Sequence, residues 1–126
     1  MSSLPDCQTL LLELHGGVLH ITLNRPDSRN AMSLQMVAEL RAVLAAVRDD
    51  RTVRALVLSG AGGHFCAGGD IKDMANARAQ GADAYRELNR AFGALLEQAQ
   101  HAPQVLITVL QGAVLGGGFG LACVSD

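Results

Sequence analysis

Residues 112–126, GAVLGGGFGLACVSD, set three consecutive glycines directly behind one apolar run and in front of another. Upstream, 104–110 (QVLITVL) predicts a buried strand, and 119–124 (FGLACV) predicts the start of a buried helix. The glycines therefore occupy a strand-to-helix junction. There the first amides of the helix have no intrahelical acceptor and point at whatever lies in front of them.

Working back along the chain, the same alternation of element types recurs. Residues 10–14 (LLLEL) and 18–23 (VLHITL) flank His15-Gly16-Gly17 and predict a hairpin, with Leu19, Ile21 and Leu23 on one face. After the turn-rich NRPDSRNA, Ser33 is placed to cap a helix whose Leu34, Val37, Leu40, Leu44 and Val47 recur at helical spacing. Residues 54–59 (RALVLS) predict a short buried strand that runs into the loop GAGGHFCAGGD. A helical stretch IKDMANARAQ follows, interrupted at Gly81. Asp83 opens a further helix with Tyr85, Leu88, Phe92, Leu95 and Leu96 on one face, and Tyr85 is read as core. Strands alternating with helices indicate an α/β fold with parallel elements, in which ligands sit beyond the carboxyl ends of strands. Nine of the fourteen glycines fall within 60–69 and 116–120, both at such ends.

Bulk composition narrows the class of partner. With 126 residues, 49% hydrophobic and 17% charged, the chain has the balance of one globular domain. A net charge of -2 gives no electrostatic basis for nucleic acid or an anionic membrane as partner. The polar opening MSSLPDCQT is not a secretory leader and no apolar run approaches a membrane span, so the cytoplasm is the expected compartment. Three cysteines, Cys7, Cys66 and Cys123, without CxxC spacing predict free thiols and no structural metal. The chain stops directly after its most apolar strand-turn-helix unit, which leaves a sheet edge and a helix face to be covered. Residues 1–126 are accordingly expected to be the N-terminal part of a single domain, with the C-terminal part absent.

Several glycine-loop chemistries fail on the residues. GxGxxG breaks at Phe65 in the first cluster and at Leu121 in the second, Gly-Lys-Ser/Thr is missing, and His64 in HFCAG spoils a nucleophile elbow. Two bare amide clusters remain, Ala67-Gly68-Gly69-Asp70 and Gly116-Gly117-Gly118. Two backbone N–H groups aimed at one oxygen form an oxyanion hole, and glycine suits it because a side chain would fill the substrate's space.

LNRPDSRNA, HFCAGGDIK and QGAVLGGGFGLACVSD, in this order and at these separations, resemble the enoyl-CoA hydratase/isomerase (crotonase) superfamily from about Leu10 to Asp126. The resemblance implies the ClpP/crotonase spiral of β-β-α units, assembly as a homotrimer or dimer of trimers, and acyl-CoA thioesters as substrates. No cofactor is implied, because coenzyme A is part of the substrate. By position in the motifs, the oxyanion donors are the amides of Gly69 and Gly117. Asp70, Ile71 and Lys72 then border the coenzyme A chain, and Arg29 with Ala31 lies near its adenosine-phosphate end.

Plainer roles compete at several of these positions. Asp70 at a helix start is read as a cap ahead of a general acid or base. Lys72, the single lysine of the sequence, fits a solvated side chain as well as a phosphate contact. Cys66 is read as a packing residue, and His20 and His64 lack further ligands at metal spacing. Many family hydratases carry a glutamate three positions beyond the middle glycine, and here that position is Gly120. Glycine can be neither acid nor base, so the ordinary two-glutamate site is excluded. Gly120 within GGGFGL is similar to bacterial hydratases acting on branched glutaconyl-CoA esters. An isomerase, a dehalogenase, a thioester hydrolase and a non-catalytic acyl-CoA-binding protein remain alternatives.

Overall fold

In the computed structural model, which describes residues 3–126, β1 (Leu10–His15) and β2 (Val18–Leu23) form the expected antiparallel hairpin. Gly16 and Gly17 supply its turn at φ 57° and 83°, the left-handed region that glycine enters without a Cβ penalty. β3 (Ala55–Gly60) lies parallel to β2 and β4 (Val105–Thr108) parallel to β3, giving the order β1-β2-β3-β4. Each parallel step needs a crossover. α1 (Leu34–Val47) makes the first, and α2 (Ile71–Gln80) with α3 (Ala82–Gln100) makes the second. α4 (Gly117–Val124) follows β4.

The core forms where the period-2 face of the sheet meets the helical stripes. Leu19, Ile21 and Leu23 of β2, Leu56 and Leu58 of β3 and Leu106 of β4 pack with Met36, Val37, Leu40, Val43 and Val47 of α1 and Leu95 and Ala99 of α3. Ser33 caps α1 as expected, its Oγ accepting from the Met36 N–H at 3.1 Å. Leu34, expected on the buried stripe, is instead 44% exposed. It is the first residue of α1, where its N–H donates to Asp73 Oδ2 at 2.8 Å and the helix has not yet turned its apolar face inward. Tyr85 is not core either. Its ring is half-buried at the surface, with the Arg78 guanidinium 5.2 Å from the ring centroid.

The last strand is shorter than its apolar run. β4 stops at Thr108, although Val109 still donates to the Leu58 carbonyl. Gln104, just before it, is buried and donates from Nε2 to the Val47 carbonyl. The outer edge of β4 is partly paired: Leu106 donates to Asp126 Oδ2 at 2.8 Å and accepts from the Asp126 N–H at 2.7 Å. Val105, Ile107, Val109, Leu110, Leu115 and Phe119 are exposed along and beyond this edge. Among the described residues no helix is long and apolar enough to cross a membrane.

Glu39 fastens the segment before β1 to α1. Its carboxylate accepts from the N–H groups of Gln8 (3.0 Å) and Thr9 (2.8 Å), from the Thr9 hydroxyl (2.5 Å) and from Gln35 (3.2 Å). Partial burial pushes its pKa up, but these hydrogen bonds together outweigh burial and hold it below the usual glutamate value. A carboxyl with a lowered folded pKa adds stability above its unfolded pKa, about 4.3, and loses it as pH falls through the folded value. Thermal melts of wild type and Glu39→Gln should therefore differ most at pH 7, and the gap should narrow as pH drops below the unfolded pKa and through the lowered folded one. A gap that stays constant with pH would contradict this role.

Candidate functional site

Both glycine loops lie at the carboxyl ends of parallel strands, and three short backbone contacts lay them side by side. Phe65 donates to the Gln111 carbonyl (2.7 Å), Cys66 to Ala113 (3.0 Å), and Leu115 to Cys66 (3.0 Å), a parallel bridge between Cys66 and Val114. A second bridge joins Met32 to Gly69: Met32 donates to the Gly68 carbonyl (2.6 Å) and accepts from the Asp70 N–H (3.0 Å). In a parallel bridge the residue that is straddled keeps its own N–H and C=O on the far side. Gly69 is that residue, so its N–H points away from Met32. Neither this N–H nor that of Gly117, the first residue of α4, has an acceptor among the described residues.

The two loops approach closely because their glycines lack side chains. A Cβ at Gly116 would lie 3.3 Å from the Gly68 Cα and 4.0 Å from the Gly69 nitrogen. Gly68 and Gly116 also sit at φ 104° and 52°. At Gly118 a Cβ would come within 2.6 Å of the Cys66 Cβ and carbonyl oxygen. Cys66 is thus a packing residue, as expected, and burial pushes its thiol pKa up, away from nucleophile chemistry. His64 is occupied structurally, its Nδ1 accepting from the Ala113 N–H at 2.8 Å, and His20 is exposed beside His15.

A cleft of about 600 Å³ opens in front of Gly69. It gathers Arg29, Ala31, Gly69, Asp70, Ile71 and Lys72, six of the seven residues expected from the sequence. Gly117 does not line it, and the side of its Cα where a Cβ would stand is taken by the ring of Phe92. Arg25, Asp27, Ser28 and Ala67 also line the cleft and were missed, although all lie within the motifs that located the others. Its charged side chains are Arg25, Arg29 and Lys72 against Asp27 and Asp70. A groove of similar size, about 630 Å³, runs between Arg48–Arg54 and Pro103–Gln104. It lies at the amino ends of β3 and β4, away from both glycine loops, where parallel sheets do not place ligand sites.

Asp70 corrects one expectation. It occupies the N-cap position of α2, but its side chain makes no capping bond and lies 3.9 Å from Arg25 Nη2. The first amides of α2 consequently stay open beside the cleft, an end of the helix that favours anionic groups. Asp73, one turn in, is turned to Leu34 at the start of α1.

Asn30 was also missed. It is 0% exposed at φ 57° and fully bonded: Oδ1 accepts from the Arg25 N–H (2.8 Å), and Nδ2 donates to the carbonyls of Ala61 (2.9 Å) and His64 (2.8 Å). This side chain ties the loop carrying Arg29 and Ala31 to the glycine loop carrying Gly69. Ionisable side chains form no cluster of three metal ligands among the described residues.

Parallel strands that end in two abutting glycine loops, with the Gly69 amide at a mixed-charge cleft, define the class of the fold as α/β with its open backbone donors at the carboxyl ends of the strands. The chain belongs to the enoyl-CoA hydratase/isomerase family, whose model matches residues 13–126, and its fold is crotonase-like. It is 80% identical to Pseudomonas aeruginosa AtuE, with a TM-score of 0.93 over 94% of this chain and 46% of that one. An enoyl-CoA hydratase/isomerase from Marinobacter aquaeolei is 59% identical, with a TM-score of 0.92 over 95% of this chain and 47% of that one. Among curated relatives, the protein named "Probable enoyl-CoA hydratase" of Rhizobium meliloti (strain 1021) is 40% identical over 119 residues, 94% of this chain and 44% of the relative. The 1,2-epoxyphenylacetyl-CoA isomerase of Escherichia coli (strain K12) is 33% identical over 118 residues, 93% of this chain and 45% of the relative. The chain thus spans less than half the length of each of these four relatives.

Proposed function

We propose that these residues form the thioester-binding, N-terminal part of a crotonase-fold hydro-lyase acting on a branched, carboxylated enoyl-CoA of the isohexenylglutaconyl-CoA type. The observation that carries the proposal is the unpaired Gly69 N–H, aimed away from its bridge partner in a cleft that also holds Arg29, Ala31, Asp70, Ile71 and Lys72. Hydration of a conjugated thioester puts hydroxide on the β-carbon and a proton on the α-carbon, with negative charge passing through the thioester oxygen. Amide donors from Gly69 and Gly117 would stabilise that enolate, each contributing about 3 kcal/mol in a dry site. The open start of α2, with Arg29 and Lys72, suits the phosphates of coenzyme A.

The acid and base come from elsewhere in this scheme. Position 120 is glycine, and a Cβ there would lie 3.1 and 3.3 Å from the two methyl carbons of Leu96 on α3. Leu96 already fills the direction in which a glutamate would start. A carboxylate of the longer protein, or one on the substrate, would move the protons. The same proposal includes a cytoplasmic enzyme of acyclic terpene breakdown, working as a homotrimer or dimer of trimers without a separate cofactor. An isomerase is the second reading, favoured by the resemblance to the Escherichia coli isomerase.

Calorimetry should show binding of acyl-CoA esters and no comparable affinity for NAD or ATP, because neither nucleotide fingerprint is present. Tight NAD binding with silent CoA esters would refute the ligand class. Mass spectrometry of the product then separates the two reactions: a product heavier by one water supports the hydratase, and conversion at unchanged mass supports the isomerase.

A further inference from the structure

We propose that Arg25 is a positioning residue that holds the Gly69 amide on target, an inference that rests on the oxyanion role given to Gly69 above. Its guanidinium spans the two segments whose pairing aims that amide. Nη1 donates to the Ala31 carbonyl at 2.5 Å, and Nη2 lies 3.9 Å from Asp70 Oδ2. Ala31 and Asp70 each stand one residue from the Met32–Gly69 bridge, whose two backbone bonds, with a third from the Ala67 N–H to the Arg29 carbonyl (3.0 Å), join the two segments. Arg25 therefore staples that bridge from the cleft side.

The staple is itself anchored. The Arg25 N–H donates to Asn30 Oδ1 at 2.8 Å, and its carbonyl accepts from the N–H groups of Ser28 (3.1 Å) and Asn30 (2.9 Å). The side chains of Arg25 and Asp70 are 27% and 15% exposed, so the pair is largely withdrawn from competing water. A planar guanidinium can address two acceptors at once, whereas a lysine offers a single point charge. Without the staple, the segment carrying Gly69 keeps its backbone bonds to Met32 and Arg29 but loses the side-chain support on its cleft side. A misplacement of about 1 Å at a catalytic donor can cost about a hundredfold in rate.

The test is steady-state kinetics of the active protein with isohexenylglutaconyl-CoA and crotonyl-CoA, alongside calorimetry with free coenzyme A and thermal melts. Arg25→Gln should lower kcat about ten- to hundredfold while KM and the Kd for coenzyme A stay within about threefold. Arg25→Lys should recover part of kcat. A joint rise of KM and Kd with kcat unchanged would overturn the proposal, making Arg25 a direct ligand contact. Failure of both variants to fold would overturn it too, leaving only a structural bond. Gly69→Pro compared with Gly69→Ala tests the underlying role: equal turnover in the two refutes the oxyanion assignment itself. A slow Gly69→Pro beside an Arg25→Gln of wild-type speed refutes only the role of Arg25.

Discussion

Replacing Asn30 by alanine is expected to destabilise the protein by about 3 kcal/mol or more, a large share of the stability of a typical domain. The substitution removes three part-buried hydrogen bonds made by a side chain that is 0% exposed. The Arg25 N–H and the carbonyls of Ala61 and His64 would lose the partner that the structure gives them, and each buried unsatisfied group costs about 1–3 kcal/mol. Alanine must also hold φ near 57°, which costs it about 1 kcal/mol more than glycine, which has no Cβ, or asparagine, whose short amide side chain bonds locally. Asn30→Gly isolates that backbone share and should sit about 1 kcal/mol above Asn30→Ala. Asn30→Asp keeps the backbone tolerance and the acceptor for Arg25, but turns a carboxylate toward two carbonyl oxygens. It should be least stable at neutral pH and recover as acid protonates it. Denaturant midpoints for the series are the measurement. An Asn30→Ala protein within about 0.5 kcal/mol of wild type would show that the loops are held by other means.

How far the sequence carried depends on whether a feature leaves a local pattern. The hairpin around Gly16-Gly17 and the Ser33 cap were legible because alternation, turn chemistry and capping act within a few residues. The cleft was legible through motif resemblance, which brought Arg29, Ala31 and residues 69–72 into one place. Asn30 was not, because two of its three side-chain partners lie 31 and 34 positions away and its burial follows from loop packing, not periodicity. Arg25 escaped for the same reason, and Asp70, which helix statistics favour as a cap, stands at the N-cap without a capping bond and faces Arg25 instead. Tyr85 and Leu34 show the opposite error. Both fit a helical stripe, but both lie in the first turn of their helix, where Leu34 borders an open groove with α2 and α3 and Arg78 of α2 covers the ring of Tyr85.

Gly117→Pro is expected to lower turnover about 10²- to 10³-fold, the usual cost of deleting one oxyanion donor. Proline deletes the N–H of residue 117, which has no protein acceptor to lose among the described residues. The helix itself should tolerate the change, since Gly117 is the first residue of α4, the position where proline is most readily accommodated. The complication is steric. Any Cβ at 117 collides with the Phe92 ring, so Phe92 must shift in the proline variant. Gly117→Ala carries the same Cβ and keeps the amide, which makes it the proper reference. The ratio of turnover between the two variants reads the donor alone, and circular dichroism with thermal melts confirms that both are folded. KM should change little between them if the bond strengthens chiefly as the thioester oxygen gains charge, because an interaction made mainly in the transition state appears in kcat. Equal turnover in folded Gly117→Pro and Gly117→Ala would remove Gly117 from the oxyanion site. Gly69 would then remain as its backbone donor on this chain, and the abutment of Gly116 on Gly68 would be a packing contact without a catalytic purpose.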